Sequence, residues 1–115
     1  MTGTGADEAK RRAKAHFARI VAEYLPHEGV DMGPMFGTQG LRVRGKVFAF
    51  VGSGGLLIVK VPADRATEWA ASSSATRMVM NGREMREWLT FTLDDAATWP
   101  YAIAEAYAYL DRITP

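Results

Sequence analysis

Apolar side chains recur along the chain with two different periods, and the switches between them mark its elements. From Asp7 to Leu25, the residues Ala13, Phe17, Ile20, Val21 and Tyr24 fall on one stripe at helical spacing, with Lys10, Arg11, Lys14 and Arg19 mostly off it. This predicts a helix over 7–25, stopped by Pro26 and turned by His27-Glu28-Gly29. Residues 1–6 are small and polar and are expected to form a disordered tail ahead of one domain spanning 7–115. The stretch Gly29 to Gly40 holds four glycines and a proline and reads as a shaped loop.

The period then changes to two. Leu41-Arg42-Val43-Arg44 alternates apolar and basic, Gly45-Lys46 reads as a tight turn, and Val47-Phe48-Ala49-Phe50-Val51 is continuously apolar, as a strand buried on both faces would be. After Gly52-Ser53-Gly54-Gly55, Leu56 to Val61 forms a third strand; connections this short make hairpins. Pro62 opens a helix over 63–71, with Asp64 and Glu68 early, and Ser72-Ser73-Ser74 ends it. Thr76 to Met80 and Met85 to Leu93 flank Asn81-Gly82, the strongest short hairpin signal. On the outgoing strand Met85, Leu89, Phe91 and Leu93 are expected on one face, and Arg86, Trp88 and Thr90 on the other. A last helix over 96–112 carries Trp99, Ile103, Ala106, Tyr107 and Leu110 as its stripe, with Pro100 tolerable only in its first turn.

The fold predicted is α+β and two-layered: an antiparallel sheet of two hairpin-connected halves packed against helices, in the order helix, three strands, helix, two strands, helix. Its expected core is Phe17, Ile20, Val21, Phe48, Phe50, Leu57, Val59, Leu89, Phe91, Ile103, Tyr107 and Leu110.

Composition narrows the chemistry. The 115 residues include no cysteine, which excludes disulfides, cysteine-ligated metals and a cysteine nucleophile. No aliphatic and aromatic run is longer than that of Val47 to Val51, which is too short to cross a membrane, and the N-terminus has no apolar segment of a signal peptide, so a cytoplasmic location without membrane attachment is expected. The 14 basic and 13 acidic side chains nearly cancel, unlike those of a dedicated nucleic-acid binder. Their distribution is uneven: residues 1–60 carry a net +4 and residues 94–115 a net −3.

No assembled catalytic or metal site emerges, and no cofactor is expected. His16 and His27 lack metal-ligand spacing. Ser53, Ser72, Ser73 and Ser74 sit in connections without a nucleophile-elbow motif, and Gly52-Ser53-Gly54-Gly55 lacks the Lys-Ser/Thr of a phosphate loop. Asp94-Asp95 read as a helix cap. The remaining candidate is a basic set, Arg42, Arg44 and Lys46 on the first hairpin and Arg83 and Arg86 beside Trp88 on the second, where arginines flanking an aromatic suit phosphate contact and base stacking. Arg42 and Arg44, two apart on a strand, are expected to project from one exposed face. The competing reading is a solvent face in which arginines cover the sheet and pair with Glu84 or Glu87.

Met35-Phe36-Gly37-Thr38-Gln39-Gly40-Leu41, followed by Val43, Gly45-Lys46-Val47-Phe48-Ala49, resembles the opening motif of the TfoX N-terminal domain family. Leu56 to Val61 with the helix after it, and Asn81-Gly82-Arg83-Glu84-Met85, continue the likeness over about residues 10–112, with Glu84 where that family usually has proline. The resemblance implies an α+β domain with an antiparallel sheet and a non-enzymatic regulatory or interaction role, linked in some members to transcription and to competence for DNA uptake. It supplies no catalytic residues. Those members carry a second, C-terminal domain, for which 115 residues are expected to leave no room. The partner expected is another protein. The alternatives are nucleic acid bound by the basic face, or a small molecule held near the Gly29–Gly40 segment, in a pocket bordered by Met32, Met35 and Phe36.

Overall fold

The computed structural model describes residues 4–115. Helix α1 (Thr4–Tyr24) leads into three strands, β1 (Val30–Met35), β2 (Thr38–Val43) and β3 (Lys46–Val51), and a short turn then opens β4 (Leu57–Lys60). Helix α2 (Ala63–Ser72), strands β5 (Thr76–Met80) and β6 (Arg83–Phe91), and helix α3 (Trp99–Ile113) complete the chain. The strands form one six-stranded sheet in the order β1-β2-β3-β4-β6-β5, with every neighbouring pair antiparallel. The α+β class and the two hairpin halves are as the sequence predicts.

Two boundaries differ from expectation. Of the predicted tail, residues 1–3 lie outside the described residues, while residues 4–6 belong to α1, whose first turn also contains Asp7, where a carboxylate suits the helix dipole. The predicted loop from Gly29 to Gly40 is instead a hairpin, β1 with the start of β2. Its glycines and proline hide the strand signal, and each has a place in it. Pro34 sits on an edge strand, where a missing N–H costs no ladder bond. Gly33 and Gly40 face each other across the pair, and a Cβ on Gly33 would collide with the Arg42 side chain lying over it.

All three two-residue hairpin turns have two successive positive-φ residues, the pattern of type I′: Phe36-Gly37 (48° and 77°), Arg44-Gly45 (46° and 85°) and Asn81-Gly82 (54° and 76°). Only the last pair is a typical sequence signal. The turn expected at Gly45-Lys46 therefore falls one residue earlier.

The helices cover one face of the sheet. Leu41, Val43, Ala49, Val51, Leu57, Val59, Leu89 and Phe91 point into a single buried cluster with Ala13, Phe17 and Ile20 of α1 and Trp99, Ile103 and Leu110 of α3. A β-bulge opposite Leu41 and Arg42 leaves Phe48 unpaired, so Phe48 and Ala49 both join this cluster. Trp99 is fully buried and its Nε1–H donates to the Thr92 carbonyl at 3.0 Å. Pro100 falls in the first turn of α3, as its lack of an N–H requires. Asp94-Asp95 do not cap α3; they lie in a 3-10 turn, and Asp95 accepts a hydrogen bond from Ser74 Oγ.

Eleven of the twelve expected core residues are buried, and Tyr107 is half-buried among Tyr24, His27 and Phe48. Phe50, however, belongs to a different environment. It is 1% exposed yet lies on the face away from the helices, paired with Gly40 and Ile58.

Candidate functional site

The helix-free face of the sheet carries most of the chemistry that the core does not use. Phe50 lies at its centre, with Trp88 against it edge-on at 5.9 Å between ring centroids and Phe36 tilted over it at 6.0 Å. Met35, Met78, Met80 and Met85 close around these rings and leave a small apolar cleft of about 100 Å³. A larger groove of about 380 Å³ continues from it along β5, past Phe36, Ile58 and Val79, with Ser53, Arg77 and Thr90 as polar members of its lining. Phe36 and Val79 are 66% and 62% exposed, so the cleft and groove open to solvent between two apolar edges.

The two hairpin tips make this cleft. The Phe36-Gly37 turn brings Phe36 over the sheet from one side. From the other, the β5–β6 ribbon projects beyond β4, whose last paired residue is Lys60 opposite Trp88. That ribbon is bulged between Arg77 and Val79, and bulged two-stranded ribbons twist strongly. Met85 consequently lines the cleft with Trp88, rather than sharing a face with Leu89 and Phe91 as alternation alone predicts. At the helix-side position there is Glu87, whose carboxylate accepts a hydrogen bond from the Tyr109 hydroxyl at 2.5 Å and so raises the tyrosine pKa above its ordinary value.

The structure splits the predicted basic set. Arg83, Arg86 and Trp88 line one shallow depression of about 770 Å³ that adjoins the cleft, together with Lys60 and Glu84. Arg83 and Arg86 are exposed and make no ion pair among the described residues. Lys60 sits 5.6 Å above the Trp88 ring. Arg42 in β2, Arg44 in the turn after it and Lys46 at the start of β3 lie toward the opposite edge of the sheet, separated from β6 by β4.

Within that second group the side chains do not act together. Arg42 is half-buried over Gly33 and makes a two-pronged pair with Asp31, Nε to Oδ1 at 2.8 Å and an Nη to Oδ2 at 2.6 Å. This pair holds the Asp31 carboxyl below its ordinary pKa. Arg44 is not a strand residue. It is the first residue of the turn after β2, and its guanidinium donates to the carbonyls of Asp111 and Thr114 at 2.8 and 2.7 Å and to the Asp111 carboxylate at 2.9 Å. It thereby satisfies carbonyls that the end of α3 leaves open. The expectation that Arg42 and Arg44 form one exposed basic surface is overturned: positive φ at Arg44 takes it out of the strand's alternation. Lys46 alone of the three is exposed without an ion pair among the described residues.

The expected small-molecule pocket is also divided. Met32 lines a groove beside α1, while Met35, three residues on and so on the opposite face of β1, lines the open side, where the left-handed turn also brings Phe36. On the α1 side a groove of about 620 Å³ runs between that helix and the hairpin, lined by Phe17, Val21, Met32 and Pro34, with Lys14 and Gln39 among its polar neighbours.

The histidines serve packing. His16 Nε2–H donates to the Ala96 carbonyl at 2.9 Å and its ring meets Trp99 edge-on, whereas His27 stacks on Tyr24. Among the described residues no group of three or more His, Asp or Glu side chains is placed to hold a metal ion. No described helix is long and apolar enough to cross a membrane. Sequence reasoning missed one cluster altogether: Glu105 of α3 accepts from Arg65 and from the Trp69 Nε1–H at 2.8 Å, tying α2 to α3.

No family model, curated protein or solved structure matches this chain.

Proposed function

We propose that this chain is a non-enzymatic regulatory interaction module that binds another protein through the cleft on the helix-free face of its sheet. One observation carries the reading. Phe36, a large aromatic residue, occupies a left-handed turn position that bulky side chains rarely adopt and is 66% exposed over the methionine-lined cleft. A residue chosen for the turn alone would be asparagine, aspartate or glycine. The resemblance to the TfoX N-terminal domain family supports a regulatory role of this kind in the cytoplasm, connected with transcription and competence.

The test is affinity capture from cell extract with the full chain as bait, after nuclease treatment, comparing wild type with Phe36→Asp. The expected result is a discrete set of proteins retained by the wild type and lost with Phe36→Asp. Equal capture by both, or capture that nuclease abolishes, would overturn the reading. A second reading, a small-ligand carrier, has the α1-side groove in its favour. It predicts that Phe36→Asp has no effect, and that a Val21→Trp substitution, which fills that groove, abolishes function.

A further inference from the structure

We infer that the partner segment is an acidic, apolar peptide: one or two large hydrophobic side chains that enter the methionine cleft, adjoining Asp or Glu residues that meet Arg83 and Arg86. This rests on the interaction reading above and adds the partner's chemistry to it.

The cleft is built to take an apolar side chain. Its innermost part, about 100 Å³, holds roughly one aliphatic or aromatic side chain. Four of its seven lining residues are methionines, unbranched side chains that re-pack around what enters. The groove along β5 extends the apolar surface for a second side chain.

The charged part of the site is the adjoining depression, which shares Met85 and Trp88 with the cleft. Its basic groups outnumber the carboxylates free to answer them. Glu87 already accepts from Tyr109 and lies 3.9 Å from Lys60, which leaves Glu84 as the one other carboxylate beside Arg83 and Arg86. An incoming carboxylate meets two arginines that make no ion pair among the described residues.

Other occupants fit less well. Two copies joined face to face about a twofold axis would set their Arg83–Arg86 surfaces in the same interface, a like-charge juxtaposition. Edge-to-edge pairing meets Pro34 on β1 and the bulge on β5. A nucleic-acid base would need an open aromatic face beside the arginines, but the half-buried Trp88 ring that lines their depression has Phe50 against it and Lys60 over it, and the exposed Phe36 does not line that depression.

The experiment is selection of random 12-residue peptides displayed on phage against the full chain, with counter-selection against Phe36→Asp. Selected peptides are then synthesised and their affinities measured at two salt concentrations. The expected consensus pairs a bulky apolar residue with Asp or Glu a few positions away. Arg83→Glu with Arg86→Glu should weaken such peptides about tenfold at low salt, the modest effect of losing two exposed ion pairs. The same double variant, used as bait, should shift selection toward Lys and Arg. Arg12→Glu with Arg19→Glu, an equal charge change on exposed α1 positions, should leave affinity unchanged. Circular dichroism melts establish that each variant folds.

Apolar peptides without acidic residues, equally bound by the Arg83/Arg86 variant, would overturn the acidic assignment and leave the cleft reading standing. Failure of any peptide to distinguish wild type from Phe36→Asp would overturn both. A single-stranded DNA 12-mer bound at low salt and released by the Arg83/Arg86 substitutions would replace the peptide with nucleic acid. A concentration-dependent dimer abolished by Phe36→Asp in sedimentation would assign the cleft to a second copy.

Discussion

The two faces of the sheet alternate along the same strands, but they are furnished differently. Toward the helices stand Leu41, Val43, Ala49, Val51, Leu57, Val59, Leu89 and Phe91, aliphatic and aromatic side chains with few rotamers, all buried under helices. On the other face stand Arg42, Phe50, Ile58, Lys60, Trp88 and Thr90, roofed at the hairpin tips by methionines and Phe36 rather than by a layer of secondary structure. Stiff side chains under helices specify one packing. Flexible methionines around an aromatic centre, open at one side, suit a surface that is covered by different means at different times. The first face holds the fold; the second is where a partner gains from the fold.

This contrast can be broken most directly with a pair of phenylalanines. Phe91 and Phe50 are each 1% exposed, one on each face. Phe91→Ala leaves a void among helix-held neighbours, including Trp69 at 5.4 Å, and should cost about 3–5 kcal/mol in denaturant unfolding. Phe50→Ala opens a void that neighbouring methionines can partly fill, and should fall near the lower end, about 3 kcal/mol. A larger loss at Phe50 than at Phe91 would show the open face to be the more rigid of the two.

A smaller effect is expected where the first hairpin meets the end of α3. Arg44→Ala removes donors from the Asp111 and Thr114 carbonyls, and should lower stability by about 1–2 kcal/mol, a charge-assisted bond discounted for its partial exposure. Hydrogen exchange at the last turn of α3 should quicken while the amides of β5 and β6 stay protected. Uniform quickening would mean that the clamp holds the whole fold rather than one helix end.

The open face also has a pH signature. Asp31 titrates below its ordinary range in the folded chain because Arg42 bonds both its oxygens. A depressed folded pKa gives stability that is present above the unfolded value of about 3.9 and is lost as pH falls through the folded one. Melting temperatures of wild type and Asp31→Asn should therefore differ above about pH 4 and converge in stronger acid. A difference that persists or grows toward acid would contradict the sign of this linkage.

These outcomes bear on what the sequence made legible. The helix face was readable because both of its periods, 3.6 in the helices and 2 in the strands, point the same residues inward; Leu41, Val59, Leu89 and Ile103 need no more information than that. The strand β1 was not, because an edge strand tolerates Pro34 and a strand crossed by a long arginine tolerates Gly33, and both residues ordinarily signal loops. The open face was only half readable. Trp88 and Arg86 fall on it by alternation, but Met35, Phe36, Met80 and Met85 converge there through two turns and a bulge distant in sequence. Arg44 misled because its neighbours alternate faultlessly up to the residue where the chain turns.

Comparison of two turns gives the smallest expected effect on stability and the sharpest on function. Arg44 and Phe36 both hold positive φ ahead of a glycine, a conformation that costs an ordinary L-residue about 1–2 kcal/mol and that asparagine adopts more readily. Arg44 recovers that cost through its bonds to the end of α3. Phe36 has its contact with Phe50, an aromatic pair of about 0.5–1.5 kcal/mol, borders the methionine cleft, and is otherwise exposed. In Phe36→Asn the relief of the turn and the loss of that pair nearly cancel, so stability should stay within about 0.5 kcal/mol of wild type. If the cleft exists to bind, the same substitution should remove partner binding from a protein that melts where it did before. A clear loss of stability with binding intact would instead make Phe36 a structural lid over Phe50, and would move the search for a partner to the groove beneath α1.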